Sequence, residues 1–321
     1  MATLRTNVER AAALHRQAAA AIAVAGTAID AYAPASATAR YHPEQHELAA
    51  RLRDLAGHLA PGWLGGPLDA FPPATPPAAG PTYVRIGQAV PLDDVAFPVI
   101  VPLIGNPDDP GGHLAIDADS RDPRVAGLLR SLVLRLLAAT PAGELRIRTV
   151  DPAAAGTTFA PFHGIDDVMP SPATDRIGLR AVLDEAERWV RQPPGDGRSL
   201  LVVIASLPEL TEGLDLARIA ALAQMGPPAR AHLVVAGWPP PPLTAETTQA
   251  PLARCTQVAL RNPYAWIGDP PGATFTAGAP PGMPGRLNAP AYLDPDPPAG
   301  LIRRVCDDLA ARTIVPNGQT P

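Results

Sequence analysis

The stretch His113-Leu114-Ala115-Ile116-Asp117-Ala118-Asp119-Ser120-Arg121-Asp122-Pro123-Arg124-Val125 decides the fold. Its first four residues are apolar enough to predict a short buried strand, and the next six are too polar to continue it. Asp122-Pro123 then marks a helix start. An aspartate side chain can accept from a backbone N–H of the first turn, and proline suits a position whose own N–H has no intrahelical partner. After it, Val125, Leu128, Leu129, Leu132, Val133, Leu136 and Leu137 recur at spacings of three and four, one apolar helical face. The unit is strand, loop, helix.

The same unit repeats toward the C-terminus. Leu145–Val150 reads as a strand ending at Asp151, and about Asp175 to Arg191 as a helix. Leu200–Ile204 is an unbroken apolar run, as expected for a strand buried on both faces. A helix near Leu214 to Gln224 precedes another such strand, Leu233–Ala236. Short strands at 258–260 and 291–293 and a helix over 297–312 close the pattern, leaving 313–321 as a flexible tail. Alternation of this kind predicts an α/β fold with a mostly parallel sheet and helices on both faces.

Toward the N-terminus, Tyr83–Ile86 and Phe97–Val101 read as short strands ahead of a turn-rich segment, Gly105 to Gly112. Residues 61–82 hold Pro61-Gly62, Gly65-Gly66-Pro67 and the run Pro72–Pro77, which reads as a semi-rigid linker and a domain boundary. Before it, the proline-free, alanine-rich stretch from Thr3 to about Tyr32 predicts one helix. His42-Pro43 opens a second, with Leu48, Leu52, Leu55 and Leu59 on one face. Residues 1–60 thus read as a helical hairpin, 61–82 as linker, and 83–312 as the α/β body.

Composition narrows the chemistry. The chain has 321 residues, 46% hydrophobic, with 42 prolines and no lysine, so all 26 basic residues are arginine. A Schiff base, a lysine general base and a P-loop lysine are therefore excluded. The formal net charge of −5 gives no direct nucleic-acid signal. Cys255 and Cys306 stand far apart without zinc spacing, which suits a reducing, cytoplasmic setting. No run is long and apolar enough to span a bilayer. Ala18–Ala25 after three arginines loosely imitates a signal peptide, but Glu9 and His15 interrupt it and the helix reading is preferred.

In wording and order, residues 83–312 resemble the RecA-like ATPase domain of the FtsK/SpoIIIE family of translocases. In that family a strand like His113–Ile116 enters a glycine-rich Walker A loop, and a helix like Leu128–Leu134 follows. The resemblance implies a RecA-like P-loop NTPase-type fold and places three chemical positions. Walker A falls on Asp117, Ala118, Asp119, Ser120, Arg121, Asp122, Pro123 and Arg124. That segment has no glycine, no lysine, three aspartates, and a proline lacking its N–H, whereas a phosphate cradle needs backbone donors, a lysine and a hydroxyl. The Walker B acids fall on Ala205 and Ser206, and the polar sensor on Trp238. Leu260-Arg261-Asn262 and Asp269–Gly272 echo a later family segment.

What the resemblance implies is a pseudo-ATPase: catalytic residues, cofactor and metal none, with an intact FtsK/SpoIIIE-like ATPase as partner in cis or trans. A homo- or hetero-oligomer is compatible with it, and the cargo is DNA or protein. Two alternatives stay open: an ATP-binding translocase component with an atypical loop, and an adaptor working through its N-terminal helices. Two metal-like patterns are weaker. His42 and His46 sit four apart, but Pro43 puts His42 outside the helix. Asp117, Asp119 and Asp122 offer carboxylates, yet an exposed loop with Asp122 as N-cap is the preferred reading. Arg130, Arg135, Arg146 and Arg148 form a local basic cluster, in which Arg130 and Arg135 are expected on a solvated helix face.

Overall fold

The computed structural model describes residues 13–15, 17, 18, 20–22, 24, 43–68, 82–92, 95–105, 111–209, 211–239, 250–268 and 291–314. Chain packing divides it into Met1–Glu47 and Leu48–Pro321. In the first unit the described residues between 13 and 24 are helical, and Leu14, Ile22 and Val24 are exposed. The rest of the stretch expected to form the first helix lies outside the described residues, as do 69–81, 269–290 and 315–321.

Among the described residues, the second unit is built on one nine-stranded sheet. Its strands are β1 (Thr82–Leu92), β2 (Val95–Ile104), β3 (His113–Ile116), β4 (Leu145–Val150), β5 (Ser199–Ile204), β6 (Ala231–Ala236), β7 (Cys255–Leu260), β8 (Ala265–Ile267) and β9 (Ala291–Leu293). Its helices are α1 (Pro43–Leu59, which begins in the first unit), α2 (Pro123–Ala139), α3 (Arg176–Arg191), α4 (Gly213–Met225) and α5 (Ala299–Ile314). The strand order is β2-β1-β9-β8-β7-β3-β6-β5-β4. From β7 to β4 all pairings are parallel. The other half is antiparallel.

The parallel half is buried on both faces, and its side chains alternate as period two requires. On β5, Leu201 and Val203 join one core cluster and Leu200, Val202 and Ile204 the other. The buried face of α2 belongs to the first cluster, and those of α3 and α4 to the second. The chain leaves β3 through α2, crosses to the edge strand β4, and returns through α3 and α4 to β6 beside β3. Successive connections thus change face around β3. In an open α/β sheet such a reversal opens a crevice beyond the strand carboxyl ends. The α/β reading of the sequence holds, with each expected strand of the parallel half in place.

Asp122 caps α2 as expected: its side chain accepts from the Arg124 N–H at 2.9 Å, with Pro123 in the first turn. The expected solvated face of this helix is not there. α2 is buried almost all round, including Ser131, Leu134 and Arg135, because the antiparallel wing and α5 cover the side that a lone amphipathic helix would show to water. Arg135 is 1% exposed. Its Nη2 donates to Asp294 Oδ2 at 2.7 Å, its Nη1 to the carbonyls of Trp63 and Gly66, and its Nε to Ser131 Oγ at 3.2 Å. Arg130 is also largely covered, held by Asp296 through two bonds of 2.7 Å.

The opening of the segment read as linker is likewise folded. Residues 62–64 form a 3-10 turn whose Trp63 and Leu64 sit in the first core cluster with Ala60. Two fully buried apolar side chains contribute about 1.5–3 kcal/mol each, so this turn belongs with the sheet.

Candidate functional site

The loop from Asp117 to Asp122 lies at the carboxyl end of β3, where the reversal of strand order opens the crevice. Three neighbouring strands hold it by backbone bonds. Asp117 N–H donates to Val258 C=O on β7 at 3.0 Å, Ser120 N–H to Ala205 C=O after β5 at 2.9 Å, and Gly237 N–H, after β6, to Ala118 C=O at 3.0 Å. Trp238 N–H donates to Ile116 C=O at 2.9 Å. Gly237 takes φ +77°, and a Cβ there would stand 3.4 Å from that of Asp119, so this crossing needs a residue free to adopt a left-handed backbone. The structure thus brings the three sequence-derived positions, Asp117–Arg124, Ala205/Ser206 and Gly237/Trp238, to one end of the sheet.

The carboxylates are all engaged by the chain itself. Asp122 accepts from the Arg124 backbone and from its guanidinium at 3.1 and 2.7 Å, and that guanidinium holds its carboxyl below the usual carboxylate range. Asp119 accepts from Arg121 N–H at 3.0 Å and lies 3.8 Å from its guanidinium. Asp117 accepts from Leu260 N–H at 2.6 Å and from Arg261 at 3.2 Å. Arg124 also donates to the Arg261 carbonyl at 2.7 Å, so the loop, the start of α2 and the end of β7 form one network. Asp117, Asp119 and Asp122 face separate partners, and among the described residues no cluster of metal-ligating side chains is found.

The remaining positions are interior. Ala205 and Ser206 are fully buried, and Ser206 Oγ accepts from Ala153 N–H at 3.0 Å, closing the loop after β4. Trp238 is 1% exposed in the second core cluster, its indole donating to Ala250 C=O at 3.2 Å. It reaches the site through its backbone alone. Sequence reading missed Asp151, which is fully buried at the end of β4 and accepts from Ser120 Oγ at 3.2 Å and Thr158 N–H at 3.0 Å. An aspartate directly after an apolar strand was the available signal.

A nucleotide with magnesium, which the resemblance implies for intact members, can be tested against this donor set. A triphosphate binds a helix N-terminus through free backbone N–H groups aided by the helix dipole. Here the N–H groups of Ser120, Arg121, Asp122 and Arg124 already donate within the protein, and Pro123 has none. The Asp122 carboxylate holds the place of the anion, and two more carboxylates stand beside it. The residues present do not fit a triphosphate.

At the other end of the same strands lie two buried histidines. His113 Nδ1 accepts from Leu233 N–H at 2.9 Å, so its Nε2 donates to Ala223 C=O at 2.8 Å. His232 Nε2 accepts from Gly105 N–H at 3.3 Å, and its Nδ1 donates to Gly112 C=O at 3.1 Å. Both rings are neutral and satisfied, and burial pushes His113 down to about 4 and His232 to about 3.

No protein-family model matches the sequence, and no curated protein matches it. Solved structures do resemble the fold. One, described as an ATPase, is 14% identical over 77% of this chain and 94% of its own, with a TM-score of 0.45. The cytoplasmic domain of the type VII secretion ATPase EccC from Thermomonospora curvata is 15% identical over 83% of this chain and 35% of its own, at 0.47. EccC ATPases 2 and 3 from the same organism, in complex with a signal sequence peptide, are 18% identical over 76% and 52%, at 0.45. The chain spans about a third to a half of the length of those two chains. At these TM-scores the likenesses carry no argument, and the fold rests on the strand order.

Proposed function

We propose that this chain is a non-catalytic, FtsK/SpoIIIE-like ATPase-fold domain, a structural or regulatory partner of an intact motor that moves DNA or protein on the cytoplasmic side. The observation that carries the first half is the Asp122 carboxylate on the Arg124 N–H at the start of α2, where a phosphate would sit in a working strand–loop–helix site. Supporting it, the Asp117–Asp122 loop is tied to three strand ends, has no lysine, and turns its one hydroxyl, that of the buried Ser120, onto Asp151. The second half rests on the sequence resemblance of residues 83–312.

The partner role is tested with the whole chain and a purified, intact FtsK/SpoIIIE-like ATPase motor. Sedimentation is expected to show a complex, and the motor's hydrolysis rate is expected to change on adding the chain. Absence of both would sink the motor-partner reading. Removing residues 1–47 separates it from the adaptor alternative. The body keeps Ala60, Trp63 and Leu64 in that deletion, so complex formation should survive. Its loss would favour the N-terminal helices as the working part.

A further inference from the structure

A second site lies away from the loops just described: a groove of about 790 Å³ beside the β1–β2 hairpin, lined by none of residues 117–124, 205, 206 or 238. One of its sides carries Arg85 of β1 and the Asp294 carboxylate, with Arg135 behind them. Arg85 and Arg135 share that single carboxylate, at 2.9 and 2.7 Å. Arg135 has further partners in Ser131 Oγ and the Trp63 and Gly66 carbonyls. Arg85 uses only its Nε, so its two terminal nitrogens have no partner among the described residues, although the side chain is only 14% exposed. Two guanidinium groups around one carboxylate leave an excess positive charge in a largely covered place. Such a charge favours an added anion.

The rest of the groove narrows what bears that anion. Arg53, on the exposed face of α1, donates to Ala96 C=O at 2.9 Å and brings the lining to three arginines against the two carboxylates of Asp294 and Asp296. The half-buried Phe97 and Pro98 and the exposed Pro298 supply apolar surface, and Gln88 an exposed amide. An apolar groove takes extended chain, with proline packing well on an aromatic ring such as Phe97, and arginines beside it take carboxylates. The volume lies in the range of ligand sites.

We propose that this groove binds an extended segment of a partner protein bearing an acidic side chain, its carboxylate on the terminal nitrogens of Arg85 and its apolar or proline neighbours on Phe97, Pro98 and Pro298. The site is independent of the nucleotide question. It gives the chain a means of holding a partner whether or not that partner is a motor.

The test uses the full chain and a pool of acetylated, amidated octapeptides with randomised positions. Selection is expected to enrich aspartate or glutamate next to proline or leucine. By fluorescence polarisation, the best peptide should weaken at least tenfold with Arg85→Gln and lose affinity when its acidic residue becomes the amide. Should Arg85→Gln fail to fold, Gln88→Trp, which fills the groove from an exposed position, is expected to abolish binding. Enrichment without acidic residues, or binding indifferent to both variants, would overturn the proposal. So would binding seen only after residues 69–81 are replaced by Gly-Ser repeats, since the chain's own segment would then be the occupant.

Discussion

Two regions of the molecule hold aspartates on arginines, and they use the same chemistry for opposite ends. In the loop after β3 the pairs are short-range or surface-exposed: Asp122 on Arg124, Asp119 on Arg121, Asp117 on Arg261. Around Asp294 the carboxylate is 4% exposed and its partners come from β1 and α2, 209 and 159 residues distant in the chain. Solvent screens the first set, so its contribution to stability is small, and its effect is to neutralise the loop's own carboxylates at the surface. The second set has given up water, and removing one member strands the others. Burial, not the pair itself, decides whether an ion pair holds a fold or only neutralises a surface.

The contrast breaks most visibly at Asp294. Asp294→Ala should destabilise the chain by about 3–5 kcal/mol, the cost of leaving a buried charge unpaired, read as a lower midpoint in urea unfolding. A destabilisation below about 1 kcal/mol would mean the node is far wetter than its geometry shows.

Acid sharpens the comparison with polar groups buried without charge. His113 and His232 titrate at about 4 and about 3 in the fold, against roughly 6.5 when unfolded. Below pH 6.5 the unfolded chain takes up protons that the folded chain refuses. Their effect is therefore nil above that pH, and stability falls as pH drops toward 4. The slope reaches about 1.4 kcal/mol per pH unit per histidine. Urea midpoints between pH 7.5 and 4.5 should show it, and a flat profile would contradict the buried neutral pair.

Smaller effects belong to the loop. Asp122→Ala removes the helix cap and should cost about 1 kcal/mol. Asp119→Ala, whose partner Arg121 is largely exposed, should stay within about 0.5 kcal/mol. Should these two exceed the Asp294 variant in the same unfolding series, the distinction drawn here is reversed.

The parallel half was legible because its signals are local. Asp122-Pro123 announces a helix start within two residues, and apolar runs such as Leu200–Ile204 announce buried strands. The convergence of Asp117–Arg124, Ala205/Ser206 and Trp238 was legible only through the resemblance, which supplied the register. Arg135 was not legible. Within its own helix it sits on what pattern alone makes the polar side, and the carboxylate that draws it inward lies beyond a long stretch of intervening chain. Strand β8 was missed for a related reason: three residues, Ala265–Ile267, are too few to show a period, and their place is fixed by pairing with β7. His113 reads as a strand residue and His232 stands just ahead of the expected strand Leu233–Ala236, and only the parallel register of β3 on β6 brings their rings to 6.1 Å.

The central claim is that the Asp117–Arg124 loop holds its own anion and takes no nucleotide. Calorimetric titration of the full chain with ATP and magnesium tests it most directly. The expected result is no heat of binding at millimolar nucleotide. A saturable isotherm with one site per chain, lost on omitting magnesium, would contradict the claim and make this loop an atypical but working nucleotide site.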